Sequence, residues 1–438
     1  MKLTVFQSGK GDCLLLTGKG SAPKRILIDG GMADAYTAHV APALGVLRQQ
    51  GKKLHRVYVS HIDEDHISGV LQMLDDLVAW RVHDFQITHG NPNHPVPGPE
   101  HPRPPQVDGI WHNSFHDQVG GNAGEIQNLL AATAVVLSGA PGKALRDLSV
   151  EHRNLATSMK QALQVSRRID GKELGIPLNQ EFGRKLMMIK PVMPPLQFGA
   201  MKFLIIGPAK EDLDVLRSDW NVWLNKTSTA ATVRAVRDES EANQRNLGNN
   251  ALPLLQSLIA AAKILGRRSK VTAPNLASLM FFVEEAGRTL LLTGDGHWQD
   301  ILNGLTHHGK LSADGNIHVN VLKGQHHGSE HNWHEKFCKA VTADHYIFCG
   351  NGFSENPEPD VIQALVDSRL GSASQRSTHP KAGNPFKLWF NSNSSASNVE
   401  AERDHMARVE TLVKKLASQS GGKLTFSFLT GSQFQLAV

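Results

Sequence analysis

The run Val57-Tyr58-Val59-Ser60-His61-Ile62-Asp63-Glu64-Asp65-His66-Ile67-Ser68-Gly69-Val70 governs how the rest of the chain is read. It opens as a short apolar strand, and Ser68 to Trp80 has helical spacing, so the polar cluster lies on the loop from a strand end into a helix. Two imidazoles (His61, His66) and two carboxylates (Asp63, Asp65) on one such loop are mixed N/O donors of the kind that hold zinc, manganese or iron. The bland alternative is a solvated acidic turn with incidental histidines. The apolar strand before the cluster and Ser68-Gly69-Val70 after it argue against that.

Upstream, Leu3 to Phe6, Cys13 to Leu16, and Arg25 to Ile28 before Asp29-Gly30-Gly31 read as strands, while Ala43 to Gln50 has helical spacing just after Pro42. Interleaving of this kind predicts an α/β fold. Downstream, His89 to Pro105 is rich in Pro, Gly, His and Asn and reads as a long surface excursion. Asn122 to Ile169 and Arg237 to Arg268 are helical in pattern. We take them as insertions, at about 120–190 and 210–270, in a single domain spanning residues 1–438. Strand patterns return at Met201 to Ile206, Leu279 to Glu284, Thr289 to Leu292, Val319 to Lys323 and His345 to Cys349, so the core is split in sequence.

Apolar residues at 40% and charged residues at 20% fit a chain that folds throughout, and a formal net charge of +5 is a weak bias toward acidic partners such as nucleic acid. Cys13, Cys338 and Cys349 form no close pair, which argues against a disulfide framework or a zinc ribbon and for a reducing compartment. The N-terminal segment has no secretory pattern. The most apolar stretch, Leu252 to Leu265, is broken by Gln256, Ser257 and Lys263. A cytoplasmic protein with no membrane partner is therefore expected.

Ser60 to Gly69 resembles the His-x-His-x-Asp-His signature of the metallo-β-lactamase superfamily, with Asp63 at the second histidine position. It is similar to the Ser-His-x-Asp-x-Asp-His-x-Gly-Gly segment in the hydrolase domain of bacterial DNA-uptake competence channels, with Ser68 at the first glycine. Further motifs of that family are matched in order by Phe6 to Cys13, Ile26 to Gly31, Asn275 to Leu279, Leu291 to Asp295 and Lys323 to Ser329. The resemblance implies an αββα sandwich with helical insertions and two divalent metal ions, zinc or manganese, at one edge where the sheets meet. It implies His61 and Asp63 at one metal, Asp65 and His66 at the other, Asp295 bridging both and His327 completing the second. His327 is preferred to His326 because the family's last ligand directly precedes glycine, which leaves His326 for the scissile phosphate or leaving group. The first metal needs one more ligand between His66 and Asp295. His112, in Ile110-Trp111-His112-Asn113, is chosen over His116, His89 and His94. His297 reads either as a hydrogen-bonding neighbour of the cluster or as an ordinary loop histidine.

Metals so held acidify water, Asp65 or Asp295 can take its remaining proton, and His326 can steady the developing charge. Asp63 in place of an imidazole shifts preference toward manganese. The subfamily resemblance implies a nuclease or other phosphodiesterase acting on DNA. A small-molecule phosphodiesterase of the choline-phosphate-ester type and a non-catalytic metal-binding regulatory module are the alternatives. Lys10, Lys323 and the Arg267-Arg268 pair are candidate phosphate contacts, although for each an ordinary solvated side chain is the first reading. Where the family has a histidine-proline segment this chain has Gly352 to Pro359, and His379 in Ser377-Thr378-His379-Pro380 is the candidate replacement.

Overall fold

Two mixed sheets lie face to face, and their central strands are apolar on both sides because each side has a layer to cover. The computed structural model describes residues 1–90, 96–113, 143–214 and 277–438. One sheet runs β14 (Gln433–Ala437), β1 (Lys2–Phe6), β2 (Leu14–Thr17), β3 (Arg25–Ile28), β4 (Arg56–Val59) and β5 (Ile110–His112). The other runs β13 (Leu424–Phe428), β12 (Phe386–Phe390), β11 (Val341–Phe348), β10 (Ile317–Lys323), β9 (Arg288–Leu292), β8 (Met280–Glu285), β7 (Met201–Gly207) and β6 (Leu196–Phe198). Strands β3 to β5 pair in parallel, as do β9 to β13.

Alternation with period two sorts the side chains into layers. Between the sheets, Val5, Ile28, Tyr58 and Trp111 meet Phe203, Phe281, Val283 and Val321. Trp111 is fully buried, with the rings of Phe198 and Phe203 edge-on at 5.2 Å, so truncating it to alanine costs about 3–5 kcal/mol. On the outer face of the first sheet, Val57 and Val59 pack with Leu44 and Ile67 of the helices α2 (Ala41–Gln49) and α3 (Glu64–His89), α1 (Ala33–Ala35) preceding them. A further helix, α4 (Lys143–Ile169), lies on α3. Outside the second sheet, Leu204, Phe282 and Leu322 are covered by α5 (Trp298–His307), α6 (Glu335–Ala340), α7 (Pro359–Leu370) and α8 (Glu400–Gln419). The order helix, sheet, sheet, helix is the expected αββα sandwich.

Three details differ from the sequence reading. The helix after the motif begins at Glu64, with Asp63 extended at its N-cap, so Asp65 and His66 sit in its first turn rather than on a loop. Acidic residues suit that end of a helix dipole. The chain beyond Gly371 supplies β12, α8, β13 and β14, none of which was anticipated. Of the two expected insertions, the first contributes the 27-residue α4, and most of the second falls at 215–276, outside the described residues. Among the described residues no helix is long and apolar enough to cross a membrane.

Glycines let the motif helix press against the sheet. A Cβ on Gly69 would lie 2.1 Å from the Gly30 carbonyl oxygen, and one on Gly30 would lie 2.2 Å from the Val70 nitrogen. Gly30 N–H donates to His66 O at 2.8 Å, and Gly69 N–H donates to Gly31 O at 3.0 Å. Ser68, where the resemblance expects glycine, donates its hydroxyl to Gly31 O at 3.1 Å, so the departure is absorbed. The rims of the two sheets are tied where Leu279 N–H meets Ser60 O at 2.8 Å.

Candidate metal centre

The parallel strands of both sheets deliver their C-terminal ends to this rim, and the polar residues collect there. Beyond β3, Asp29 takes a left-handed φ of 53° and accepts from Ser60 N–H at 2.7 Å, Ser60 Oγ at 2.7 Å and His66 Nδ1 at 2.9 Å. With Nδ1 so engaged, His66 turns Nε2 inward, 3.3 Å from His327 Nε2 and 3.3 Å from Asp295 Oδ1. Asp295 follows β9. His326 and His327 follow β10, both with left-handed backbone. His327 Nδ1 donates to Cys349 O at 2.6 Å, leaving Nε2 3.2 Å from Asp65 Oδ2 and 3.5 Å from Asp295 Oδ2. His61 Nε2 reaches the same Asp295 oxygen at 3.5 Å and Asp63 Oδ2 at 3.6 Å.

These donors fit a divalent ion. His61 Nε2 and Asp295 Oδ1 are buried with no hydrogen bond, a costly state for polar atoms whose natural resolution is a bound cation. Burial by itself would raise the Asp295 carboxyl; the charges of His66, His327 and His326 override it and hold the group well below the usual carboxylate range. Burial likewise works to lower His66 and His327, and the surrounding carboxylates, Asp295 foremost, raise both well above the ordinary histidine value. His326 differs. Burial dominates and lowers it, favouring a neutral ring whose Nδ1–H donates to Asn332 Oδ1 at 2.6 Å. Asn332 is fixed in turn, donating to Asp295 O at 2.8 Å, and His326 Nε2 lies 3.7 Å from Asp295 Oδ2.

His61, Asp63, Asp65, His66, Asp295, His326 and His327 are thus brought together. His112 is buried at the end of β5, in register with Val59, and its N–H donates to Asn179 Oδ1 at 2.9 Å, so it stands on the strand beside the one that leads into His61. His89 ends α3, exposed and about 35 Å along the helix from the motif, which excludes it as a ligand. His94, His116, Asn275, Leu276, Arg267 and Arg268 lie outside the described residues. His297 caps α5 by accepting from Gln299 N–H. Lys10 stays at the rim, 3.4 Å from Glu64 and over the Phe353 ring at 4.5 Å from its centroid.

Two expected phosphate contacts are corrected. Lys323, the last residue of β10, is 1% exposed and points beneath the cluster, paired with Asp12 and donating to Gly294 O at 3.2 Å. It cannot meet a substrate at the surface. His379 stacks on His318 at 5.4 Å near the start of β10, about 16 Å along the strand from the end that carries the site. Conversely, Asp12, Asp29, Ser60 and Asn332 build the centre without having been assigned roles. Asp12 and Asp29 stand in quoted motifs, Gly-Lys-Gly-Asp and Asp-Gly-Gly, but nothing in spacing shows which ring nitrogen a carboxylate will face.

An N/O-donor cluster at the rim of an αββα sandwich is the architecture of a metal-dependent hydrolase. Residues 9–125 match the family model described as Metallo-beta-lactamase superfamily, which supports placing this part of the chain, the motif loop included, in that superfamily of mostly metal-dependent hydrolases. No curated protein matches the chain.

Proposed function

We propose that the chain is a two-metal phosphodiesterase whose substrate is nucleic acid, DNA foremost. The observation that carries this is the position of Asp295 Oδ2, 3.5 Å from His61 Nε2 on one side and 3.5 Å from His327 Nε2 on the other. We read one carboxylate so placed as serving two donor sets, His61 and Asp63 with His112 from the neighbouring strand, and Asp65, His66 and His327. Zinc or manganese held there supplies water of near-neutral pKa and polarises a phosphoryl oxygen. Asp63, standing where the signature has an imidazole, makes its set more anionic than that signature and favours manganese.

The chain's own proton chemistry centres on His326. Its Nδ1–H is committed to Asn332, so Nε2 presents a lone pair toward Asp295 and can take the proton that attacking water gives up, with Asp65 and Asp295 as the other acceptors. The side chain is 26% exposed at the opening, which lets the same nitrogen hand that proton to the leaving oxygen. Nucleic acid is favoured by the ordered motifs that resemble those of the competence-channel hydrolases. It is favoured also by the rim, where a lysine lies over an exposed phenylalanine, a pairing of cation and aromatic face suited to a phosphate and its base.

The test is digestion of end-labelled single-stranded DNA, double-stranded DNA and RNA, alongside a nitrophenyl phosphodiester, with added manganese, zinc or magnesium. Cleavage of DNA in manganese or zinc is expected. Turnover of the diester alone would shift the substrate to small phosphate esters, and turnover of none, with metal bound, would leave a regulatory module.

A further inference from the structure

Asp12 lies within reach of an ion held at the centre. With His66, Asp295 and His327 it forms a buried group whose donor atoms all lie within 4.8 Å of one another. The sides of the rings tell against its being a ligand. His66 and His327 point their Nε2 atoms at each other, at Asp65 and at Asp295, whereas Asp12 faces Nδ1 of both, 3.9 Å from His66 and 3.3 Å from His327. The two nitrogens of an imidazole point in widely different directions, so an ion held by Nε2 has Asp12 behind the rings. The Asp12 oxygen nearer His66, Oδ2, is also the one taken by Lys323, which donates to Gly294 O at 3.2 Å and lies 3.9 Å from Asp295 Oδ1, while Oδ1 makes no hydrogen bond and has His327 Nδ1 at 3.3 Å.

The backbone fixes Asp12 independently of any ion. Asp12 N–H donates to Asp65 O at 3.3 Å, and the preceding Gly11 is pressed so closely on the motif that a Cβ there would fall 1.7 Å from that same oxygen. A carboxylate and an ammonium, each about 1% exposed, are therefore installed beneath the centre by strand ends from different sheets.

We propose that Asp12 and Lys323 are a charge-compensating pair that positions the centre and ligates nothing: Asp12 backs the Nδ1 side of His327 so that Nε2 faces the ion, while Lys323 holds Asp12 away from the metal and steadies the Gly294-Asp295 turn. This holds whatever the substrate. Either charge alone is harmful, the lysine as an unbalanced cation beside a dication and the aspartate as an anion free to ligate, while loss of both is tolerated because the local net charge is unchanged and Cys349 O still holds His327 Nδ1.

The experiment compares Asp12→Asn, Lys323→Met and the double variant in the full chain. It reads zinc and manganese affinity by titration, metal content after gel filtration, and the unfolding midpoint of chelator-treated protein. Asp12→Asn should weaken metal binding about tenfold or more. Lys323→Met should keep its metal but unfold at lower temperature once stripped. The double variant should recover the wild-type metal content and lie within about threefold of wild-type affinity, since the two changes cancel in charge. A folded double variant that has lost a metal equivalent would make Asp12 a ligand and overturn the proposal. A double variant that fails to fold overturns it as well, because a neutral pair in that space is required to be tolerated. If either single variant cannot be purified folded, the double variant decides alone.

Discussion

Asp29 holds His66 from behind: its Oδ2 lies 2.9 Å from His66 Nδ1 and also accepts the Ser60 hydroxyl at 2.7 Å, while the far nitrogen of the ring faces Asp295 and His327. Asp29→Ala should free the ring to rotate and leave the Ser60 N–H without its partner. We expect metal affinity to fall about 10–100-fold and stability by about 1–3 kcal/mol. Metal titration and urea unfolding of the stripped protein read the two effects separately, and unchanged affinity would refute the positioning role.

His326 and His327 are neighbours with different tasks, and their variants should separate. His327→Ala removes a nitrogen that faces Asp65 and Asp295, so metal content should drop by about one equivalent and activity should be lost on every substrate. His326→Ala should retain metal yet turn over nucleic acid about 100-fold more slowly, recovering part of that loss on a nitrophenyl diester whose leaving group needs no proton. Metal loss from His326→Ala would instead make its Nε2 a ligand.

Asp295→Asn and Asp65→Ala should each reduce hydrolysis by at least about a thousandfold, because Asp295 faces both His61 and His327 and Asp65 faces His327, and neither fills the core. Unfolding should remain cooperative. Wild-type turnover in either variant would show that the centre lies elsewhere.

Gly69→Ala drives a methyl into the Gly30 carbonyl, backbone against backbone, and should cost about 3 kcal/mol. Gly171→Ala meets nothing within 4 Å and should stay within about 0.5 kcal/mol. Equal midpoints in urea would contradict the close crossing of α3 over β3.

Asp344 supplies an acid-range signature away from the candidate centre. Burial acts to raise it, but hydrogen bonds from His318 and Asn320, at 3.0 and 2.9 Å, bring the carboxyl down to about 2 from an ordinary 3.8. A depressed folded pKa adds stability that is fully present above the unfolded value and is lost as pH falls from about 4 toward about 2. Asp344→Asn should flatten the stability curve in that window while leaving its shape at neutral pH, as measured by urea unfolding at pH 5 and pH 3.

The residues of the centre were readable where chemistry is dense in sequence and unreadable where it depends on direction. His61, Asp63, Asp65 and His66 stand within six positions, and Asp295, His326 and His327 follow strands whose apolar runs announce them. Lys323 closes such a strand too, yet which way its ammonium points is set by the twist of β10 and by Asp12 on another sheet, so a lysine read as a surface contact lies buried. His379 shows the same gap at larger scale: its loop is polar and close to a proline, but strand direction places it at the wrong end of β10. The last strands escaped notice because β13 and β14 alternate weakly, Leu424 and Leu436 being their only buried residues.

Strand β14 lies against β1, with Lys2 opposite Ala437 and Phe6 opposite Gln433. Strand β1 therefore keeps one flank bare until residues 433–437 have been made, and the Gly9 to Asp12 turn that it carries gains its final support only then. Pairings so distant along a chain form late and slowly. Metal retention is thereby expected to await β14: chains cut short before Gln433 should neither retain zinc or manganese nor resist protease.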